Sequence, residues 1–182
     1  MLERTQLAGK NMPLRHPVIV TGADRALAVE TWLLSAAPDL KTARWEWRQG
    51  GPTFLRCGGT FTAIRIPGSV VHAAAGTAEP RAVDGYLEEA LDGGPVIAGH
   101  GLTRYYALVP ASTGPRPDLV PGADCLAPRT LLGVPPVRRT TYQGGESYWS
   151  VPMDSPGELC LAAAVDGLAH EGLRCLGEGE DW

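Results

Sequence analysis

The stretch FLRCGGTFTAIRIPG, residues 54–68, sets the class of fold. Two apolar runs, Phe54–Cys57 and Phe61–Ile66, flank Gly58-Gly59, and Pro67-Gly68 ends the second run. Aromatic and β-branched residues bounded by glycine and proline are typical of strands, and a short glycine turn between two such runs indicates a β-hairpin. We therefore predict two neighbouring strands that pair with each other.

Helical periodicity surrounds this stretch. Apolar spacing of three and four residues predicts a helix over 25–36 with Asp24 as its N-cap, and a second helix from Asp39 to Trp47. Further predicted helices are a short turn near Val70–Ala74, a helix from Pro80 to Asp92 whose outer face carries Asp84, Glu88, Glu89 and Asp92, and a helix from the capping box Ser155–Glu158 to Gly172. The four acids on the outer face are expected to be solvated.

Four more strands follow the hairpin. They are Pro95–Ala98, Thr103–Val109, Thr130–Val134 and Ser147–Val151, with a proline-rich loop over Pro110–Pro121. Because strands occur in adjacent runs, without strict alternation with helices, we predict an α+β fold. It would have two layers, a mixed or antiparallel sheet with flanking helices. The predicted organisation is a flexible N-terminal arm over 1–17, one domain over 18–176 and an acidic tail over 177–182.

Charge and composition narrow the class of protein. The 182 residues carry a net charge of −4, and 14 of the 16 basic residues are arginine. Residues 154–182 sum to −6 and residues 1–153 to +2, so the acidity argues only weakly against nucleic-acid binding. No apolar run is long enough to span a bilayer and no signal peptide follows Met1, so we expect a cytoplasmic protein with no membrane partner.

Familiar catalytic motifs do not occur. The chain has no G-x-S-x-G, no S-x-x-K and no glycine-rich phosphate loop, and its four cysteines lack zinc spacing, so we expect neutral thiols and no metal site. Arg65 and Arg104 stand out because each interrupts an apolar strand. Each is either exposed or turned inward, where its guanidinium needs a carboxylate, a phosphate or another ligand.

Several segments, in order, resemble a known family. They are Arg44-Trp45-Glu46-Trp47, the strand Thr60–Ile66 with Pro67-Gly68, Gly94-Pro95-Val96 before Thr103–Ala107, and Asp124 before Leu131–Pro136 and Tyr148-Trp149. Over about residues 40–155 this order resembles the bifunctional DNA primase/polymerase N-terminal domain of bacterial mobile elements, in the archaeo-eukaryotic primase superfamily. The resemblance implies a primase–polymerase core, which is similar to the RRM fold.

The resemblance also implies that the polymerase chemistry is lost. Arg65 and Pro67 stand where the family has an Asp-x-Asp motif, and Arg104 stands where it has a nucleotide-binding histidine. Only Asp124 remains as a catalytic candidate. An arginine in place of a metal-binding aspartate puts a cation where Mg²⁺ would sit, so no cofactor is expected, and Mg²⁺ or Mn²⁺ only if the domain is active.

The leading hypothesis is therefore a non-catalytic binding or regulatory module. Nucleic acid or a nucleotide phosphate would bind in an arginine-lined former active cleft, and a protein partner is also considered. The candidate ligand-binding residues are Arg65, Arg104, Arg129, Arg138, Arg139 and Tyr106. Three alternatives stay open: a protein-interaction scaffold, a small enzyme that uses Asp124 with His72 or His100, and an active primase.

Overall fold

The computed structural model describes residues 21–115 and 120–178. The helices of this part are α1 Gly22–Leu34, α2 Leu40–Arg48, α3 Gly68–Ala75, α4 Pro80–Ala90 and α5 Ala162–Glu178. The strands are β1 Thr53–Arg56, β2 Phe61–Pro67, β3 Val96–Ala98, β4 Arg104–Pro110, β5 Asp124–Cys125, β6 Leu131–Val134 and β7 Tyr148–Val151. The predicted arm over 1–17, the start of the predicted domain at 18–20 and residues 179–182 of the predicted tail lie outside the described residues.

The strands form two antiparallel sheets, which confirms the α+β fold with flanking helices. The larger sheet has the order β5-β2-β4-β3-β7, and β1 pairs with β6 in a separate two-stranded sheet. The long central pair, β2 and β4, runs in register from Phe61 opposite Pro110 to Pro67 opposite Arg104. This pair positions the residues that matter most below.

Both faces of the larger sheet are covered. On β4, Tyr105 and Val109 point into a core shared with α3, α4 and α5. Leu108 points the other way, into a core shared with α1, α2 and the small sheet, where Trp47 donates from its indole nitrogen to the Val134 carbonyl at 2.9 Å. Alternation along the strand separates these two faces, so the parity of a residue number in β2 or β4 decides which core it joins.

The predicted hairpin over residues 54–66 is wrong. Both strands exist, but β1 pairs with β6 through Leu55 opposite Leu132, and β2 pairs with β4. The Gly58 amide still donates to the Phe61 carbonyl, so the glycine turn forms without bringing the two strands into one ladder. A period of two reveals a strand but does not name its partner, and here the partner of β1 lies more than 70 residues away.

The predicted start of the first helix and both predicted ends of the last helix are also wrong. Thr21 is the N-cap of α1, and Asp24 completes the capping box three residues later. The last helix begins at Ala162. Before it, the chain turns at Gly157, which has a positive φ of 79°. That helix continues past Gly172, which faces α3: a Cβ there would lie 2.1 Å from the Val70 carbonyl oxygen. Gly172 therefore permits close helix packing and is not a stop signal.

The predictions for the middle helices hold. Asp39 caps α2 by accepting from the Thr42 amide at 2.7 Å, and Pro80 is the first residue of α4. Among the helices of the described residues, none is both long enough and apolar enough to cross a membrane.

Candidate functional site

A polar row crosses the larger sheet. Arg65 on β2 lies opposite Asp124 on β5 and opposite Tyr106 on β4. Directly opposed residues of antiparallel strands point to the same face, so all three share the face that also carries Leu108. The fold thus brings together three candidates that are far apart in the sequence.

Arg65 and Asp124 form an ion pair. The Arg65 Nε donates to Asp124 Oδ1 at 2.8 Å, and its terminal nitrogen lies 2.6 Å from the same oxygen. The two side chains are 35% and 45% exposed. The inward-turned arginine therefore finds its carboxylate within the chain, and two of its nitrogens are already used.

Arg104 lies beside this pair. It is opposite Pro67, two residues along β4 from Tyr106, so it is the diagonal neighbour of Arg65 on the same face. Such neighbours have Cα atoms about 7–8 Å apart. Arg104 is exposed, and the described residues offer its side chain no hydrogen bond or ion pair. The expected proximity of Arg65 and Arg104 is thus present, and Arg104 is the more available of the two, because two nitrogens of Arg65 already bond to Asp124.

The polymerase metal pair that the resemblance implies does not fit these residues. Magnesium and manganese ions take oxygen ligands, and two-metal sites need several carboxylates a few ångströms apart. Of the four implied positions only Asp124 carries a carboxylate, and Arg65 is bonded to it. Across residues 21–115 and 120–178, no three His, Cys, Asp or Glu side chains are grouped closely enough to hold a metal ion.

Three arginines line one groove farther along the same face. Arg48, at the end of α2, faces Arg138 and Arg139 across a pocket of about 370 Å³. The other described residues that line it are Trp47, Gly50, Pro136, Thr141 and Gln143. We call this the arginine groove. The described lining includes no carboxylate, but Glu146 pairs with Arg139, and Glu30 lines an overlapping pocket of about 400 Å³ together with Arg48 and Arg138. Three arginines against these two acids leave a local excess of one positive charge, which favours anions.

The three arginines of the groove differ in their freedom. Arg139 pairs with Glu146 at 2.9 Å and donates to the Gly50 carbonyl, and its side chain is only 20% exposed. Arg138 is exposed and has no bonded partner among the described residues. The only bond of the Arg48 side chain among these residues goes to the Arg44 carbonyl of its own helix, at 3.2 Å. Arg48 and Arg138 therefore present free charge, whereas Arg139 holds the groove in shape.

A row of paired strands separates the groove from the ion pair. The Trp149 amide on β7 donates to the Arg139 carbonyl at 2.8 Å, which puts Arg139 four strand spacings, about 19 Å, from Arg65. A pocket of about 340 Å³ is lined by Gly50, Arg139 and His100, and also by Glu146. His100 belongs to the 3₁₀ turn that leads into Arg104. This pocket therefore extends from the arginine groove to the turn that precedes Arg104.

Arg129 lies apart from this region. Its amide donates to the Cys57 carbonyl, in the turn before β2, whereas Arg65 and Arg104 lie at the opposite end of β2. Its backbone has a positive φ of 74°, so the residue forms a tight turn into β6. The structure thus separates Arg129 from the other candidate ligand-binding residues.

The catalytic pairs considered for Asp124 are also separated. His72 contacts the Tyr105 hydroxyl at 3.1 Å on the opposite face of the sheet, and burial lowers the pKa of its imidazole. His100 follows β3, three strand spacings from Asp124, about 14 Å. Neither histidine is placed to share a proton with Asp124.

Sequence reasoning missed two polar features. Arg48 is absent from the candidate residues, because the predicted second helix ends at Trp47, whereas the helix includes Arg48. Asp84 was predicted to be solvated, which is wrong: its Oδ1 accepts from the Tyr148 hydroxyl at 2.8 Å and from the Ser150 hydroxyl. Burial raises the pKa of the Asp84 carboxyl. The position of Asp84 in the predicted helix does not reveal that its side chain faces β7.

Two of the cysteines, Cys57 and Cys160, are buried and are poor nucleophiles. Burial raises the pKa of the Cys57 thiol and raises that of Cys160 to about 12. A thiol is reactive as its thiolate, so neither of these two is activated.

Comparisons with protein families, with curated proteins and with solved structures find no match for this chain.

Proposed function

We propose that this protein is a non-catalytic, primase–polymerase-like binding module that holds a phosphate-bearing ligand, a single-stranded nucleic acid or a nucleotide, in the arginine groove. Arg104 extends the binding surface toward the former active cleft. The proposal places the protein in the cytoplasm, where such ligands are abundant.

The arginine groove is the observation that carries the proposal. Arg48 and Arg138 are two guanidinium groups without a bonded carboxylate among the described residues, and both line one pocket. Planar guanidinium groups match phosphate oxygens in charge and shape.

The geometry of the former cleft supports the primase–polymerase part of the proposal. The resemblance equated Arg65, Pro67, Arg104 and Asp124 with residues of one active site, from three separate segments. In the fold these four positions lie on three adjacent strands at one end of the sheet. The Arg65–Asp124 ion pair then occupies the space that a metal ion would need, which supports a binding role over polymerase chemistry.

A direct binding measurement tests the proposal. Fluorescence anisotropy at ~50 mM salt should show saturable binding of a labelled single-stranded oligonucleotide, because phosphate contacts are strongest at low salt. The Arg48→Ala/Arg138→Ala variant should bind at least 10-fold more weakly.

A matched variant removes the same charge elsewhere. Arg56→Ala/Arg129→Ala deletes two exposed arginines next to Cys57, in the turn that precedes β2 and away from the groove, so its affinity should stay within about 2-fold of the wild type. Equal losses in both variants would show that net charge alone drives binding, and no binding by the wild type would refute the proposal.

A protein-interaction role is the second candidate function. Phe54 and Leu131 are 57% and 51% exposed, and both lie on the outer face of the small sheet, where β1 and β6 pair. Exposed apolar side chains that share a face are typical of interaction surfaces. If a second copy of the chain covers this face, sedimentation should show a dimer that Phe54→Ser/Leu131→Ser converts to a monomer. A wild-type monomer at ~100 μM would contradict self-association.

A further inference from the structure

A second pocket lies on the other side of the segment that borders the arginine groove. Thr141 and Gln143 line both pockets. The second pocket, of about 340 Å³, is completed among the described residues by Glu79, Pro80, Arg81, Asp84 and Tyr142. We call it the Asp84 pocket. Its chemistry differs from that of the arginine groove, because its least exposed polar side chain is the Asp84 carboxylate.

The Asp84 carboxylate is held in one orientation. Tyr148 and Ser150 on β7 both donate to its Oδ1, and no described residue bonds its Oδ2. The two hydroxyl groups stabilise the charged form, whereas burial raises the pKa of the carboxyl. A partly desolvated carboxylate with one unbonded oxygen at a pocket is a hydrogen-bond acceptor that a cationic donor would complete.

The rest of the pocket suits a cation. Glu79 and Arg81 offset each other in formal charge, so the lining as described carries −1 from Asp84. Glu79 is already used: its carboxylate accepts the Arg81 and Ala82 amides at the start of α4. The Tyr142 ring is 41% exposed and packs edge-on against Tyr148, with 5.9 Å between ring centroids. An aromatic face beside a carboxylate is a recurring environment for ammonium groups.

We propose that the Asp84 pocket binds a small organic cation, an alkylammonium or alkylguanidinium group. The cation donates to Asp84 Oδ2 and lies against the Tyr142 ring, while Thr141 and Gln143 supply further acceptors. The volume is at the lower end of the range for small-molecule sites, so the ligand is an aliphatic amine or guanidine of a few carbons. This site is independent of the phosphate ligand proposed for the arginine groove.

A nuclear magnetic resonance titration of the whole chain tests this site. The probe is n-butylammonium chloride at pH 7.5, with sodium chloride at the same ionic strength as the reference. Saturable shifts should appear at the amides of Asp84, Tyr142 and Gln143. A Kd on the order of 1 mM is expected because the probe has few atoms. Tetramethylammonium, which has no N–H donor, should bind at least 3-fold more weakly.

Variants separate the carboxylate from the fold. Asp84→Asn keeps the acceptor for Tyr148 and Ser150 and should weaken binding at least 10-fold. Asp92→Asn removes an exposed acid near the end of the same helix and should leave the affinity unchanged. Tyr142→Ala, at an exposed position, should weaken binding about 2- to 5-fold. Shifts that match sodium chloride, or equal affinity in Asp84→Asn, would overturn the proposal.

Discussion

The Arg65 guanidinium contacts a single oxygen of Asp124 with two of its nitrogens, at 2.8 and 2.6 Å. The pair lies across β2 and β5 on a face of the sheet where the family resemblance places catalytic metal ligands. The same two positions therefore carry an internal ion pair and no free carboxylate. The sequence predicts that polymerase chemistry is lost, and the Arg65–Asp124 ion pair is the geometry that this prediction concerns.

Replacing Arg65 with an acid should create a metal site. In Arg65→Asp two carboxylates oppose each other across the ladder, so their repulsion should lower the Tm by a few degrees in EDTA. Manganese should restore that loss, because an ion that binds only the folded state stabilises it. Calorimetry with and without ~5 mM Mn²⁺ measures both effects.

Arg65→Gln is the control, since it breaks the ion pair without adding a carboxylate. Its Tm should not respond to Mn²⁺, and neither should that of the wild type. A Tm of Arg65→Asp that is indifferent to Mn²⁺ would show that Arg65 does not face Asp124 as described.

Two glycines of α5 should respond in opposite ways to alanine. Gly172→Ala forces a methyl group against the Val70 carbonyl and should destabilise the protein by about 2–3 kcal/mol. Gly167 has no atom within 4 Å of its Cβ position, so Gly167→Ala should stabilise by about 0.5–1 kcal/mol through helix propensity. Urea unfolding measures the free energy of unfolding of both variants. Equal changes in the two would argue against the close approach of α3 and α5.

Neighbouring arginines of the groove should differ in their structural role. Arg139→Ala loses the contacts to Gly50 and Glu146 and should destabilise by about 1–2 kcal/mol. Arg138→Ala should stay within about 0.5 kcal/mol of the wild type, as exposed substitutions usually do. Chemical denaturation measures both. A larger loss of stability in Arg138→Ala than in Arg139→Ala would contradict the contacts assigned to Arg139.

His72 should make stability depend on pH. Burial lowers the pKa of its imidazole in the folded state below the usual ~6.5, so the unfolded chain takes up the proton first as pH falls. The contribution is therefore complete above ~6.5 and is lost as pH falls through the lower folded pKa. The free energy of unfolding of the wild type should decrease more between pH 7.5 and 5.0 than that of His72→Gln. Parallel profiles would contradict this assignment.

Local signals predicted the elements well, because they depend on neighbours in the sequence. Asp39 and Pro80 mark helix starts correctly, and every predicted strand between residues 54 and 151 exists. The predicted pairing of β1 with β2 is wrong, because each strand pairs with a distant segment: β1 with β6 and β2 with β4. The strand β5 was missed, since two residues, Asp124–Cys125, carry no periodicity.

In the candidate site, too, local features were predictable from the sequence and long-range contacts were not. Arg65 and Arg104 were recognisable as charges within apolar strands, but the carboxylate that satisfies Arg65 comes from a segment 59 residues away. Arg48 and Asp84 were not recognisable, because their significance depends on which loop or strand a helix faces. Arg129 was included for its charge alone, and its turn geometry places it elsewhere.

The salt dependence of oligonucleotide binding tests the central claim most directly. Each phosphate neutralised on a single strand contributes about −0.7 to the slope of log K against log salt concentration. With Arg48, Arg104 and Arg138 in contact with phosphates, the wild-type slope should be about −2. Arg48→Ala/Arg138→Ala should reduce its magnitude by about 1.4, and Arg56→Ala/Arg129→Ala should leave it unchanged. A slope near zero, or the same slope in both double variants, would contradict phosphate binding in the arginine groove.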